Sequence, residues 1–284
     1  MELNFEEIGR RTGRSSEEVA RYVEQAKRSM IPLGRQVSVV EGGQTQWFIV
    51  TRRGVGIILT DYGRFHQFDF NVGDQWGKYS VLFYGEVTDD FAPVFRNPEL
   101  LLMRIDSGCE TGQVFGDRTC ECREQLKLAM KTIAARGEGV IINIPFQDGR
   151  GLRLPFKLAT LRLQAQLRLN TVEAAHAIAP NGVIDIRTYG GVIGILKFFE
   201  IPTTMQINLA TNNPHKAGVF AENGYTVSDF TPVVKPPTEH TKEHLQAKQN
   251  HLGHIDLVPK PKEGDQHEDA ASAPPSSGGD EPQQ

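Results

Sequence analysis

The sequence predicts an α+β fold, and three observations carry the prediction. Between Gln36 and Ile105 the chain runs in short β-branched and aromatic stretches ("VSVV", "WFIV", "GIIL", "SVLFYGEV", "LLLMRI") broken by Gly and Asp, the pattern of a strand-rich half. After Cys122 helical spacing alternates with short buried-type strands, which calls for crossover connections. A chain of 284 residues, 39% hydrophobic and 23% charged, is average for a globular protein and long enough to bury a sizeable core.

Taken in order, "FEEIGRRTGR" reads as a short helix ending at Gly13, and residues 15–28, "SSEEVARYVEQAKR", as a second one. Ser15 or Ser16 can cap it, Glu17 and Glu18 favour its first turn, and basic residues lie near its end. Two helices joined across a Thr-Gly turn resemble a helix-turn-helix. Residues 5–28 are therefore either a DNA contact or a packing appendage, and the packing reading is preferred. The strands follow, completing an N-terminal extension over residues 1–58. "REQLKLAMKTIAARGEG" places Leu126, Met130 and Ile133 on one helical face before a glycine stop, and "VIINIPF" is a strand. A further helix is expected over roughly 154–178, and another over 191–201, "GVIGILKFFEI". Residues 258–284 are Pro, Ser, Gly, Asp and Glu with scarcely any apolar content, so a disordered tail is expected there.

The formal net charge is -4, so no global basic excess advertises a polyanionic partner. Any polyanion must be met locally. No apolar run approaches the roughly 18 residues of a membrane span, and Met1 to Arg10 is acidic and polar where a signal peptide needs a basic start and an apolar stretch. The reading is cytoplasmic, with no membrane.

All three cysteines fall in "CETGQVFGDRTCEC", residues 109–122, with the spacing C-x10-C-x-C. Clustering argues against a disulfide framework. Cys109, Cys120 and Cys122 can meet at one metal only if the chain turns tightly, and Gly112 and Gly116 permit that bend. Soft sulfur ligands select Zn2+, and three of them leave a fourth position for water, as in a catalytic site. Two bland readings stand beside it: a closed structural site completed by His215, His251 or His254, and three unliganded thiols packed as small hydrophobes.

Reading outward, "LLMRIDSGCETGQVFGDRTCECREQL" and "FQDGRGL" resemble the GTP cyclohydrolase II family, the zinc enzymes that open riboflavin biosynthesis. The likeness continues collinearly from "LTDYGRF" at 59–65 through "NTVEA", "DIRTYG" and "LATNNPHK" to "HTKEHLQAKQNHLGH" at 240–254. It implies a mixed-sheet catalytic domain over 59–257, one Zn2+ per subunit, Mg2+ with the substrate triphosphate, and a homodimer. It implies nucleotide contacts at Arg104, Ile105, Asp106, Ser107, Gln125, Asp148, Gly149, Arg150, Thr171, Thr211 and Lys216. Clustered cations and backbone donors are what a triphosphate needs, whereas "QDGRG", "TNNP" or Lys216 taken alone would be an ordinary turn or a solvated side chain. The family's reaction is hydrolytic opening of the guanine imidazole ring at carbon 8, a second hydrolysis releasing formate, and loss of pyrophosphate. Its general base aligns with Asp185 and its proposed phosphorus nucleophile with Arg187. A guanidinium is a poor nucleophile and a good phosphate clamp, so electrostatic stabilisation by Arg187 is weighed equally.

Three departures bear on the chemistry. Gly108 stands where the family has a carboxylate before the first cysteine, and Asp148 stands where it has Glu. Leu161 replaces a tyrosine on the helix after the Gly-Arg-Gly turn, and a leucine cannot donate a phenolic hydrogen bond. The expectation is ring opening of GTP with incomplete formate release. Its rivals are a diverged paralogue acting on a related nucleotide, in pyrimidine catabolism or specialised metabolism, and a nucleotide-binding regulator with a structural zinc.

Overall fold

A computed structural model describes residues 4–73, 77–239, 241–255 and 257–258. The tail expected over 258–284 lies outside the described residues from 259 onward. The chain opens with α1 (Phe5–Thr12), capped by Asn4 and ended by a left-handed Gly13, and α2 (Ser16–Ser29), whose Ser15 and Glu18 form a capping box. Val19 is the buried residue of α2, and the end of that helix lies against Gly54 in the sheet. The pair packs on the fold as well as on itself.

Strands β1 (Leu33–Glu41), β2 (Gln44–Thr60), β3 (Gly63–Val72) and β4 (Lys78–Tyr84) follow as an antiparallel meander. The short hairpin β5 (Glu86–Val87) and β6 (Pro93–Val94) leads into β7 (Leu100–Ser107). Helix α3 (Cys122–Arg136), stopped by Gly137, returns the chain to β8 (Gly139–Ile144). The sheet order is β1-β2-β3-β4-β8-β7-β9-β10, with β9 (Gln206–Ala210) and β10 (Val227–Thr231). Pairing is antiparallel as far as β4·β8 and parallel from β7 onward. The fold is thus α+β with a mixed sheet, as expected, and its helices lie on both faces. The boundary expected after residue 58 falls inside β2, so the strands of the extension belong to the common sheet.

One expectation is corrected. The single helix over 154–178 is two, α4 (Arg153–Leu167) and α5 (Thr171–Ile178). Arg168 takes a left-handed cap at φ 57°, and Asn170 with Glu173 forms a capping box that starts a new helix. Apolar residues recur on both sides of the break, leucines up to Leu169 and then Val172, Ala175 and Ile178, which is why it reads as one element.

Helix α6 (Gly190–Phe198) and the short α7 (Gly218–Glu222) cover one face of the sheet, where Phe68, Phe70, Val81, Met103, Ile105, Ile142 and Leu209 form the main core with Ile193 and Leu196. Helix α3 covers the other face, with Ala129 and Ile133 on Phe65, Leu102 and Ile141. Helix α8 (Lys242–His251) and the residues after it run across the ends of β7 and β9.

Candidate active site

The site lies beyond the carboxyl ends of the parallel strands β7, β8 and β9, where open sheets usually place ligands. Strand β7 alternates: Met103 and Ile105 enter the main core, while Arg104 and Asp106 point to the opposite face. Arg104 donates to Asp106 Oδ1 through Nε at 3.2 Å and Nη2 at 3.0 Å, and to the carbonyl of Ala210. Asp106 Oδ2 accepts from Gln113 Nε2 and Asn143 Nδ2, both at 2.7 Å. Both charges are buried and every strong acceptor is used, the condition under which a buried ion pair holds its geometry.

Directly after β7 the metal loop begins. Cys109 caps a single π-helical turn (Glu110–Val114), and Asp117 accepts from the backbone and hydroxyl of Thr119, turning the chain so that Cys120 faces back. Cys122 is the first residue of α3. The three sulfurs lie within 4.8 Å of one another, and Cys109 Sγ is 3.8 Å from Cys120 Sγ. Tetrahedral Zn–S bonds of about 2.3 Å put two sulfurs about 3.8 Å apart, so the donor set fits zinc in both chemistry and spacing. Gly112 lies beneath it: a Cβ there would be 2.5 Å from Cys120 Sγ and 3.0 Å from Cys109 Sγ. Among the described residues no histidine joins the cluster. His215 packs against Gly253 instead. Without metal, hydrogen bonds from the Cys120 and Cys122 thiols, and then from Lys157, hold Cys109 far below the usual thiol range. The negative sulfur of Cys109 in turn pushes Cys120 up to about 11.

The QDGRG turn forms the next wall. Gly149 (φ 60°) and Arg150 (φ 58°) are successive left-handed residues, the second costing a non-glycine residue roughly 1–2 kcal/mol. The turn is held by Ile186 N–H donating to the Arg150 carbonyl and by Arg150 Nη2 donating to Thr171 Oγ1 at 3.1 Å. Asp148 accepts from the Glu110 N–H and pairs with Lys157, so the shorter carboxylate is engaged by the loop itself. Gly108 has no room for the family's carboxylate: a Cβ would stand 2.6 Å from Pro145 Cα.

Arg187 closes the far side. It donates through Nε to Asp185 at 2.9 Å and through Nη2 to the other oxygen, and hydrogen bonding to Arg187, against the opposing effect of burial, holds the Asp185 carboxyl below its ordinary range. Arg187 lines the cavity with Arg104, Arg150, Lys216, Gln125, Asp148 and the cysteines; Asp185 does not, and reaches it through Arg187. Burial, reinforced by Arg104 and Arg187, drives Lys216 well below the usual lysine range, and its Nζ donates to the Ile105 carbonyl at 2.8 Å. The Ile105 side chain is core, so that residue serves the site through its backbone alone. Ser107 lines it and donates its hydroxyl to Gln147 at 2.9 Å, while Thr211 lines the wall near β9.

With this geometry in view, the comparisons are decisive. A family model described as GTP cyclohydrolase II matches residues 57–232. The chain belongs to the GTP cyclohydrolase II family. Among similar proteins, the GTP cyclohydrolase-2 of Streptomyces coelicolor is 31% identical over 227 residues, 78% of this chain and 96% of the relative. The GTP cyclohydrolase-2 of Picrophilus torridus is 32% identical over 194 residues, 68% and 93%. The riboflavin biosynthesis protein RibBA of Bacillus subtilis is 36% identical over 208 residues, 72% of this chain but 48% of the relative. Against the RibBA proteins, this GTP cyclohydrolase II family chain spans about half their length.

Sequence reasoning did not single out Lys157, Lys248 or Glu121 in or beside this cavity, and weighed His254 only as a fourth ligand of a closed metal site. Lys157 lies on α4, a lone cation in "LPFKLATL". Lys248 and His254 come from the "HTKEHLQAKQNHLGH" segment, and Glu121 stands between two ligands. Lys248 pairs with Glu121 at 2.9 Å, and Ile255 exchanges backbone and side-chain bonds with Asn212, so the C-terminal segment is tied over the metal loop. A cation in an apolar helical stretch was the available signal for Lys157. Nothing local marks the others.

Proposed function

We propose that this protein hydrolyses GTP, opening the imidazole ring at carbon 8 with release of pyrophosphate, in a cytoplasmic setting where its thiols stay reduced. The observation that carries the reading is one cavity lined both by three metal-spaced thiols and by Arg104, Arg150, Arg187 and Lys216. A zinc ion held by Cys109, Cys120 and Cys122 supplies Lewis-acid activation of the hydrolytic water. Arg150, set by Thr171, and Lys216, set by the Ile105 carbonyl, bind phosphate oxygens, and Mg2+ accompanies the triphosphate. Arg187 clamps the transferring phosphoryl, and Asp185 fixes the plane of that guanidinium. Ser107, Gln125 and the Arg104–Asp106 pair form the floor against which the base rests, Gly149 lets the turn approach the phosphates, and Thr211 lines the remaining wall. Homodimer formation follows from the family resemblance.

Leu161 lines the same cavity with Thr160 and Gln164, where it donates no hydrogen bond. The reaction therefore stops largely at the formamide. Zinc-loaded protein incubated with GTP should give the ultraviolet spectrum of a pyrimidine product and one pyrophosphate per turnover, with formate well short of stoichiometric. Leu161→Tyr should raise formate towards one per turnover. Unchanged GTP beside fully zinc-loaded protein would overturn the activity, and stoichiometric formate from the unaltered chain would overturn the truncated course. Related guanine nucleotides offered in competition decide the substrate.

A further inference from the structure

Lys157 belongs to none of the expected site positions, yet its ammonium touches the metal cluster. It leaves the second turn of α4 and brings Nζ to 2.7 Å from Cys109 Sγ and 3.5 Å from Asp148 Oδ1. Its side chain is 15% exposed, so the contact is not a surface pairing that water screens away. Asp148 is itself fixed by the Glu110 N–H at 3.1 Å, one residue beyond the ligand. Cation, carboxylate and thiolate are thus locked to the same loop.

Charge makes the arrangement meaningful. Three thiolates outweigh a divalent ion by one negative charge, and in a largely enclosed cavity that excess needs an answer. A lysine donating to one sulfur supplies it and draws electron density from that sulfur alone, as partners behind a ligand commonly tune a metal. Cys120 Sγ meets the Asp117 carbonyl at 3.9 Å, Cys109 Sγ at 3.8 Å and Cys122, while Lys248, the other nearby ammonium, is turned to Glu121. The three ligands are therefore chemically unequal.

We propose that Lys157 is a positioning residue of the metal centre: held by Asp148, it neutralises the Cys109 thiolate and makes that sulfur the weakest donor of the three. This rests on the reading of the three cysteines as metal ligands. A weaker donor leaves more positive charge at the metal, which favours activation of water over tight structural closure.

The test is optical and independent of turnover. Cobalt(II) is bound to the protein and to its Lys157→Met, Lys157→Arg and Asp148→Asn variants, and the sulfur-to-cobalt charge-transfer absorption is recorded. Lys157→Met should move the band to longer wavelength, because an uncompensated thiolate gives up its electron more readily. Lys157→Arg should return it towards the original position, and Asp148→Asn should move it in the same direction as the methionine variant but less. If the unaltered protein takes up no cobalt, the metal reading itself fails. If cobalt binds but neither Lys157→Met nor Asp148→Asn moves the band, the role of Lys157 is overturned. An arginine variant shifted as far as the methionine one would mean packing rather than charge, and overturns it too. Should Lys157→Met not fold, Asp148→Asn decides alone.

Discussion

Arg187 and His254 show how much a single side chain's surroundings decide. Arg187 is held in place by Asp185, so in the proposed reaction a developing phosphoryl charge would meet a guanidinium that needs no further orientation. Arg187→Ala should lower kcat by about two to three orders of magnitude, with partial recovery on adding free guanidinium; a phosphorylated arginine trapped by rapid quench would argue for covalent attack instead. His254 is half-buried, and loss of water, followed by the nearby charges of Lys248, Arg187 and Lys216, depresses it from 6.5 to about 3. Between those values the unfolded chain binds a proton that the folded one refuses, so stability is lost as pH falls below the unfolded value. Each pH unit in that window costs on the order of 1 kcal/mol. Urea melts at about pH 7.5 and about pH 5 should show a smaller acid loss for His254→Gln than for the unaltered chain.

At the scale of elements, the metal loop is the least tolerant part of the fold. Its π-turn carries Gly112 directly beneath two sulfurs, and a methyl group there competes for the space that tetrahedral spacing requires. Gly112→Ala should therefore leave the purified protein with well under one zinc per chain by atomic absorption, while circular dichroism stays close to that of the unaltered protein. Helices α4 and α5 illustrate the limit of periodicity: apolar residues recur on both sides of the break, which the left-handed Arg168 and the Asn170 and Glu173 capping box mark. The same box was visible as "NTVE" but was outweighed by the apolar repeat. By contrast α1, α2 and α3 were legible, because each ends on a glycine or begins on a capping residue that local chemistry alone specifies.

For the whole molecule, fold class was legible because strand and helix patterns separate along the chain, and the thiol cluster that could hold a metal because three cysteines fall in a short segment. The part played by the Ile105 backbone was not, since only the fold brings Lys216 to its carbonyl, whereas Asp185 as the partner of Arg187 was legible from their spacing of two residues. Lys157 and Lys248 were hidden for the same reason: their partners lie 48 and 127 positions away. The helix pair over 5–28 sets Arg10, Arg11, Arg14, Arg21, Lys27 and Arg28 against Glu6, Glu7, Glu17, Glu18 and Glu24, a near balance that favours packing over DNA. Sedimentation equilibrium should give twice the 31.6 kDa chain mass if the family's dimer forms here, and the single chain mass would refute it. Strand β7 has a wider consequence. Leu101, Met103 and Ile105 fill the main core, while on the opposite face Leu102 packs under α3 and Arg104 and Asp106 line the cavity, so shape changes in the hydrophobic interior are passed to Arg104 and Asp106 along the same strand. A laboratory selection for altered substrate preference should therefore recover substitutions at Met103 or Ile142, on the greasy side of the sheet, alongside those in the cavity wall.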